Sequence, residues 1–133
     1  MTELEKAYLA GIIDGEGTIT LTPDGEFRYP SLSFCNNDKA IIDYVNQFCK
    51  GVVTTKHSSA VNEKWSDNYV WHVCGRNAIN TIAEILPYMH EQKKIRRGRS
   101  ILDNYIRLTP RNGKYSVELK NEKLHWQEQF FKL

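Results

Sequence analysis

Residues 9–17 read Leu9, Ala10, Gly11, Ile12, Ile13, Asp14, Gly15, Glu16, Gly17, an apolar helical stretch broken by small residues and closed by carboxylates. Glycine inside a helix costs about 1 kcal/mol relative to alanine, so Gly11 needs a compensating contact. Close approach to another backbone supplies one, and Ala10, Gly11 and Gly15 are spaced to allow it. Asp14 and Glu16 fall at the end of the helix, where carbonyl oxygens lack internal partners and the macrodipole is negative. Carboxylates beside free carbonyls are the donor set that magnesium prefers, so a divalent cation is expected at this helix end.

Working outward, Thr2 can cap the helix, with Glu3 and Glu5 in its favourable first turn. Leu4, Tyr8, Gly11, Ile12 and Gly15 share one face, and Leu9 and Ile13 another. A helix with two faces that want burial, at the start of a small domain, fits one side to its own sheet and the other to a partner. Downstream, Thr18, Thr20 and Thr22 alternate with Ile19 and Leu21, the period of a half-buried strand. Pro23, Asp24 and Gly25 signal a turn. A second alternating run sets Leu32 and Phe34 against Tyr29, Ser31, Ser33 and Cys35. Asp38 can cap a helix of about a dozen residues carrying Ile41, Ile42, Val45 and Phe48, closed by Gly51.

Residues 52–56 and 69–73 read as two more strands joined by a polar loop, 57–68. Residues 76–86 have helical period through Ile79, Ile82, Ala83 and Leu86, with Pro87 at the boundary. Residues 90–108 suit a further helix bearing the basic run, which Gly98 weakens. Residues 115–120 are expected to be extended, and Asn121 to cap a last short helix with Leu124, Trp126, Phe130 and Phe131, for which packing is the expected role. The expected fold class is therefore α+β, in the order helix, two strands, helix, two strands, helix, helix.

The motif at 9–17 resembles the signature of the LAGLIDADG homing endonucleases. Ile12 departs conservatively from that pattern. Gly15 and Glu16 depart in the pair that includes the functional carboxylate, where Glu keeps the ligand chemistry and lengthens its reach by one methylene. The resemblance covers roughly residues 3–108, matches the αββαββα order of that domain, and leaves 109–133 as a tail. It implies a four-stranded antiparallel, saddle-shaped sheet with helices on one face. A second copy of the motif is lacking: residues 79–88 and 100–108 have neither the paired small residues nor the terminal carboxylate. A single copy implies a homodimer meeting through Tyr8, Gly11, Ile12 and Gly15. It further implies Glu16 from each chain near the twofold axis, with the Gly15 carbonyl beside it, holding magnesium for double-strand cleavage across the minor groove of a long pseudo-palindromic site.

Two more catalytic positions follow from the resemblance. A polar residue at the end of the second strand helps place the attacking water, and Asp38 is assigned there, although its cap role alone could account for it. A lysine is expected about five residues after the proline closing the late helix. That offset lands on Gln92, so Lys93 is chosen on the argument that a slight helix shift brings it inward. Candidate base contacts on the polar sheet face are Thr20, Thr22, Arg28, Tyr29, Ser31, Ser33, Thr54, Lys56 and His72. A two-stranded ribbon fits the major groove, where base edges carry an unambiguous code, and short hydroxyls favour partly water-mediated contacts.

The 133 residues bound the chain to one domain, 1–133, with one core. The net charge of +2 hides an asymmetry: residues 1–92 carry seven Lys/Arg against twelve Asp/Glu, and residues 93–133 carry eleven against four. Lys93, Lys94, Arg96, Arg97 and Arg99 are the densest run. They can neutralise phosphates with counterion release, and a solvated helix face explains them equally well; Lys94, Arg96 and Arg97 are taken as DNA contacts. Cys35, Cys49 and Cys74 lack any paired spacing and read as reduced thiols, and the four histidines lack ligand spacing, so no structural metal is expected. The apolar run in 7–13 is too short for a signal or a membrane span. The expected partners are double-stranded DNA and a second copy of the chain, with no membrane and no small-molecule substrate, in a soluble protein inside the cell. The methionine start favours an intron-encoded or free-standing mobile-element product over an intein. Two competing functions remain: a cleavage-silent intron maturase or DNA-binding regulator using the same surface, and a protein-interaction domain whose Gly11 helix only dimerises.

Overall fold

The first helix, α1 (Glu3–Glu16), starts where Thr2 caps it: the Glu5 N–H donates to Thr2 Oγ1 at 3.2 Å, and the Thr2 N–H donates to the Glu5 carboxylate at 2.7 Å. This reciprocal box satisfies two of the otherwise unpaired donors of the first turn. The computed structural model describes residues 1–57 and 60–133, and within them the order is α1, β1 (Gly17–Asp24), β2 (Phe27–Asn36), α2 (Lys39–Phe48), β3 (Val52–Lys56), β4 (Asn68–Cys74), α3 (Gly75–Ile85), a 3₁₀ turn (Leu86–Tyr88), α4 (Gln92–Asn104) and α5 (Val117–Phe130). The helix–strand–strand repeat is as the sequence predicts. Of the expected loop at 57–68, residues 58 and 59 lie outside the described residues.

The strands form one antiparallel sheet in the order β1-β2-β4-β3. Its inner face carries Ile19, Leu21, Leu32, Phe34, Trp71 and Val73, all buried against Leu9, Ala10 and Ile13 of α1, Ile42 and Val45 of α2, and Ala78, Ile82 and Ile85 of α3. Each fully buried aliphatic side chain of this kind contributes about 1.5–3 kcal/mol of transfer free energy. Trp71 fills the centre with its indole N–H donated to the Cys49 carbonyl at 3.0 Å, so its one polar atom is not stranded. Burial pushes the neighbouring Cys49 thiol up from its ordinary value, away from the thiolate form.

Several boundaries differ from expectation. The first strand continues through Pro23 and Asp24, and the turn is the tight pair Gly25 and Glu26, with Gly25 at φ +64°. Pro23 is tolerated because β1 is an edge strand. Helix α2 ends at Phe48. Gly51 does not close it; a side chain there would lie 2.6 Å from the His72 carbonyl and 2.7 Å from the Trp71 indole nitrogen. The late helix runs over Gln92–Asn104, with Glu91 as its cap. The tail helix α5 starts at Val117 and is capped by Ser116, so the expected extended stretch and the Asn121 cap are both wrong. Gly17, where α1 turns directly into β1, is required by crowding: a Cβ would stand 2.6 Å from the Ile13 Cα. Gly17→Ala is expected to destabilise the fold by about 2 kcal/mol, lowering the melting temperature in a circular-dichroism melt by about 5–10 °C.

Candidate active site

Alternation along the strands divides the sheet into two faces with different duties. Thr18, Thr20 and Thr22 stand opposite Ser33, Ser31 and Tyr29, and Ser31, Ser33 and Cys35 stand opposite Cys74, His72 and Val70. Thr54 pairs with Val70 and Lys56 with Asn68. Thr22, Tyr29, Ser31, Ser33 and His72 line one shallow depression on this open face, and the Thr22 and Ser31 hydroxyls are 2.8 Å apart. Helices cover only the other face, so the open one is a polar surface of hydroxyls, an imidazole and a lysine. Arg28 does not belong to it. It lies on the inner side of the alternation with Pro30 and Leu32, donates its Nη1 to the Leu21 carbonyl at 3.0 Å, and stacks on Phe131 at 4.8 Å.

At one end of the sheet, α1 delivers Glu16, an exposed carboxylate. The Nδ2 of Asn36, the last residue of β2, donates to Glu16 Oε2 at 3.1 Å, while its Oδ1 accepts the Asp38 N–H at 2.7 Å. That second bond fixes which way the Asn36 amide faces. The Asp38 carboxylate is directed elsewhere: it accepts the Ala40 N–H at 2.9 Å and caps α2. The polar residue at the strand end is therefore Asn36, and Asp38 acts through its backbone. The signal was present in the sequence, because the period that turns Leu32 and Phe34 inward also brings Asn36 beneath the end of α1.

The basic residue at this helix end is Lys94. Its Nζ donates to the carbonyls of Ile13 at 2.9 Å and Asp14 at 2.8 Å, the placement that the helix dipole favours for a cation. Lys93 is exposed, so the inward shift that singled it out does not occur. The phase of α4 is set by Asp14, whose carboxylate accepts the N–H groups of His90 at 3.0 Å and Glu91 at 2.9 Å. Asp14 is thus a strut between α1 and α4 and not a free ligand. Arg97 is also built into the scaffold: its Nη1 donates to the Ile19 carbonyl at 3.2 Å and its guanidinium sits 5.2 Å from the Phe130 ring. From the basic run, Lys93, Arg96 and Arg99 stay exposed.

Beside Glu16 lies a groove lined by Tyr8, Gly11, Ile12, Gly15, Asn36 and Ile41. A side chain added at Gly11 or Gly15 would meet nothing within 4 Å, so nothing in a single chain requires glycine at either place. Leu4 is 84% exposed and Tyr8 42%, and Tyr8 meets Tyr44, itself half exposed, edge-on at 5.2 Å. The motif helix therefore presents an apolar, small-residue face to solvent, ending at the carboxylate.

In overall shape the chain is similar to the LAGLIDADG homing endonuclease I-GzeII in complex with its DNA target (TM-score 0.68, 14% identity, 94% of this chain). The chain has the LAGLIDADG homing endonuclease fold. It spans 43% of I-GzeII, whereas it spans 96% of the homing endonuclease I-TnaI (TM-score 0.61, 17% identity, 98% of this chain). The archaeal intron-encoded homing endonuclease I-Vdi141I, complexed with DNA, is matched at TM-score 0.63 and 11% identity over 98% of this chain and 84% of that one. No family model matches the sequence, and no curated protein does. In the LAGLIDADG fold seen here no helix among the described residues is long and apolar enough to cross a membrane.

At the end of α1 the chain offers one carboxylate that could serve a cation, Glu16, with the Gly15 carbonyl beside it. Among the described residues no three His, Cys, Asp or Glu side chains converge, and Glu16 is the carboxylate left over once Asp14 and Asp38 are engaged with backbone N–H groups. Magnesium commonly takes one or two protein carboxylates and completes its shell with water and substrate phosphate. Glu16 and the Gly15 carbonyl, which is not among those taken by Lys94, fit that pattern if a second chain and a phosphate supply the remainder.

Proposed function

We propose that this chain is a magnesium-dependent, sequence-specific homing endonuclease that works as a homodimer on a long, pseudo-palindromic duplex. The observation that carries this reading is the position of Glu16, an accessible carboxylate at the end of an unpartnered small-residue helix face and beside a sheet with one polar open face. Joining two α1 helices along Gly11 and Gly15 makes one concave surface from two sheets and brings two Glu16 side chains together. Bound magnesium supplies charge neutralisation at the phosphate and a lowered pKa for the attacking water. Glu16 and the Gly15 carbonyl would hold it, Asn36 orients the carboxylate, and Lys94 neutralises the negative end of α1. Thr20, Thr22, Tyr29, Ser31, Ser33, Thr54, Lys56 and His72 face the base edges, while Lys93, Arg96 and Arg99 are free for phosphates.

The test is selection of cleaved molecules from a library of randomised DNA duplexes. Cleavage is expected to require magnesium, to stop with EDTA and to return when magnesium is restored, and the recovered sites are expected to show twofold symmetry. Sites without symmetry, or cutting that survives EDTA, would refute the proposal. Binding without cleavage under every metal condition would favour the cleavage-silent regulator.

A further inference from the structure

The β1–β2 ribbon reaches beyond the rest of the sheet. Pairing between β2 and β4 covers Ser31 to Asn36, so residues 27–30 have no strand on that side. Their free edge is met by the tail. Gln127, on α5 and almost fully buried, accepts the Arg28 N–H through Oε1 at 2.9 Å and donates Nε2 to the Glu26 carbonyl at 3.5 Å. Those two groups flank Phe27, and a neighbouring strand would use them in the same way; the Gln127 carboxamide thus stands in for one peptide unit of a missing strand. Phe27 itself stacks on Tyr115 with ring centroids 4.4 Å apart. Lys123, 2% exposed, sits 4.9 Å from the Phe27 ring and donates to Tyr115 Oη at 2.9 Å and Thr109 Oγ1 at 3.0 Å. Lys120 pairs with Glu26 at 3.0 Å, and Phe131 lies against Arg28.

We infer that α5 is a clamp on the overhanging ribbon and that Gln127 is a positioning residue for DNA recognition, setting the pose of Thr22 and Tyr29 without touching DNA. A two-stranded ribbon is marginal in isolation, and its register against base edges tolerates little movement. Gln127 lies on the inner side and Thr22 and Tyr29 on the outer, so the clamp acts through the backbone of residues 26–28. This inference rests on the proposed DNA-binding function.

The experiment compares the full-length chain with Gln127→Leu, which keeps bulk and loses both hydrogen bonds, and Gln127→Glu, which keeps the acceptor for Arg28. Amide hydrogen exchange without DNA is expected to quicken at Arg28 by about tenfold in Q127L and to return most of the way in Q127E, with Trp71 and Val73 unchanged. On duplexes recovered by randomised-library selection, Q127L is expected to relax discrimination at the base pairs that Tyr29→Ala also relaxes, and to preserve it at those sensitive to His72→Ala. Unchanged exchange at Arg28 would overturn the clamp whatever the DNA result. Uniform loss across all base pairs, or exchange rising throughout the core, would also overturn it by making Gln127 a general stability residue. Failure of the unmutated chain to bind any duplex in the library would instead remove the functional reading, while the exchange comparison would still judge the clamp.

Discussion

Glu16→Gln is expected to lower the cleavage rate by a thousandfold or more, about 4 kcal/mol of barrier, while leaving duplex affinity equal or slightly higher. The two halves of that expectation have separate physical causes. Gln is isosteric and still offers an acceptor to Asn36 Nδ2, which now reaches Glu16 Oε2 at 3.1 Å, so the end of α1 keeps its geometry. What disappears is the negative charge. A neutral amide is a poor ligand for a hard divalent ion, and with the ion go both charge neutralisation and water activation. Binding depends on phosphates and base edges, and removing a carboxylate near them lessens repulsion. Rates are measured by single-turnover cleavage of a library-selected duplex, and affinity by fluorescence anisotropy in calcium or without divalent ions. A Glu16→Gln enzyme that cuts at an undiminished rate would remove Glu16 from the chemistry, and with it the strongest reason to regard the chain as a nuclease.

The strands and the first two helices were legible because each announces itself twice, whereas α3 and α4 rested on helical period and the Pro87 boundary between them. Beta period appears together with turn residues, and helical period together with a cap such as Thr2 or Asp38. The tail was not. Its buried stripe is Lys123, Trp126, Gln127 and Phe130, so two of the four inward positions are polar and the apolar period is broken. Tyr115 and Val117 favour extended structure locally. Only Ser116 followed by a helical burial pattern betrays the start, and that pattern depends on partners in residues 26–28 and 105–115 that no local reading can supply.

The candidate site was legible to the level of residue type and elusive at the level of the individual atom. The sequence carries a carboxylate at the end of α1, a polar residue at the end of β2 and a lysine on α4, and all three are there. It does not say which neighbour takes which task, because a shift of one residue in a helix rotates a side chain by about 100°. Asp14, by gripping the N–H groups of His90 and Glu91, starts α4 at Gln92 and turns Lys94 onto α1. The contact between residues 14 and 90 decides between Lys93 and Lys94. Asn36 and Asp38 separate in the same way: both are polar and near the strand end, and the two-residue offset assigns one to the carboxylate and the other to the helix cap.

Gly11→Leu is expected to act in opposite directions on the single chain and on its assembly, which makes it the sharpest test of association. Within one chain a Cβ at Gly11 meets nothing within 4 Å, and replacing a mid-helix glycine by leucine gains about 0.5–1 kcal/mol of helix stability. If α1 faced only solvent, the variant would melt higher at every concentration and behave as the parent does in sedimentation. If two α1 helices meet along Gly11 and Gly15, the new side chain must occupy the space in which the second backbone lies. Overpacking of that kind costs about 1–3 kcal/mol per inserted side chain in a close-packed contact, and a twofold interface receives two of them. The dimer dissociation constant is then expected to rise by a hundredfold or more, the sedimentation boundary to move to the monomer at micromolar concentration, and the concentration dependence of melting to vanish. Cleavage should fall with the dimer, because a lone chain brings only one Glu16 to the site. A Gly11→Leu protein that remains dimeric and active would place the contact between chains on some other surface.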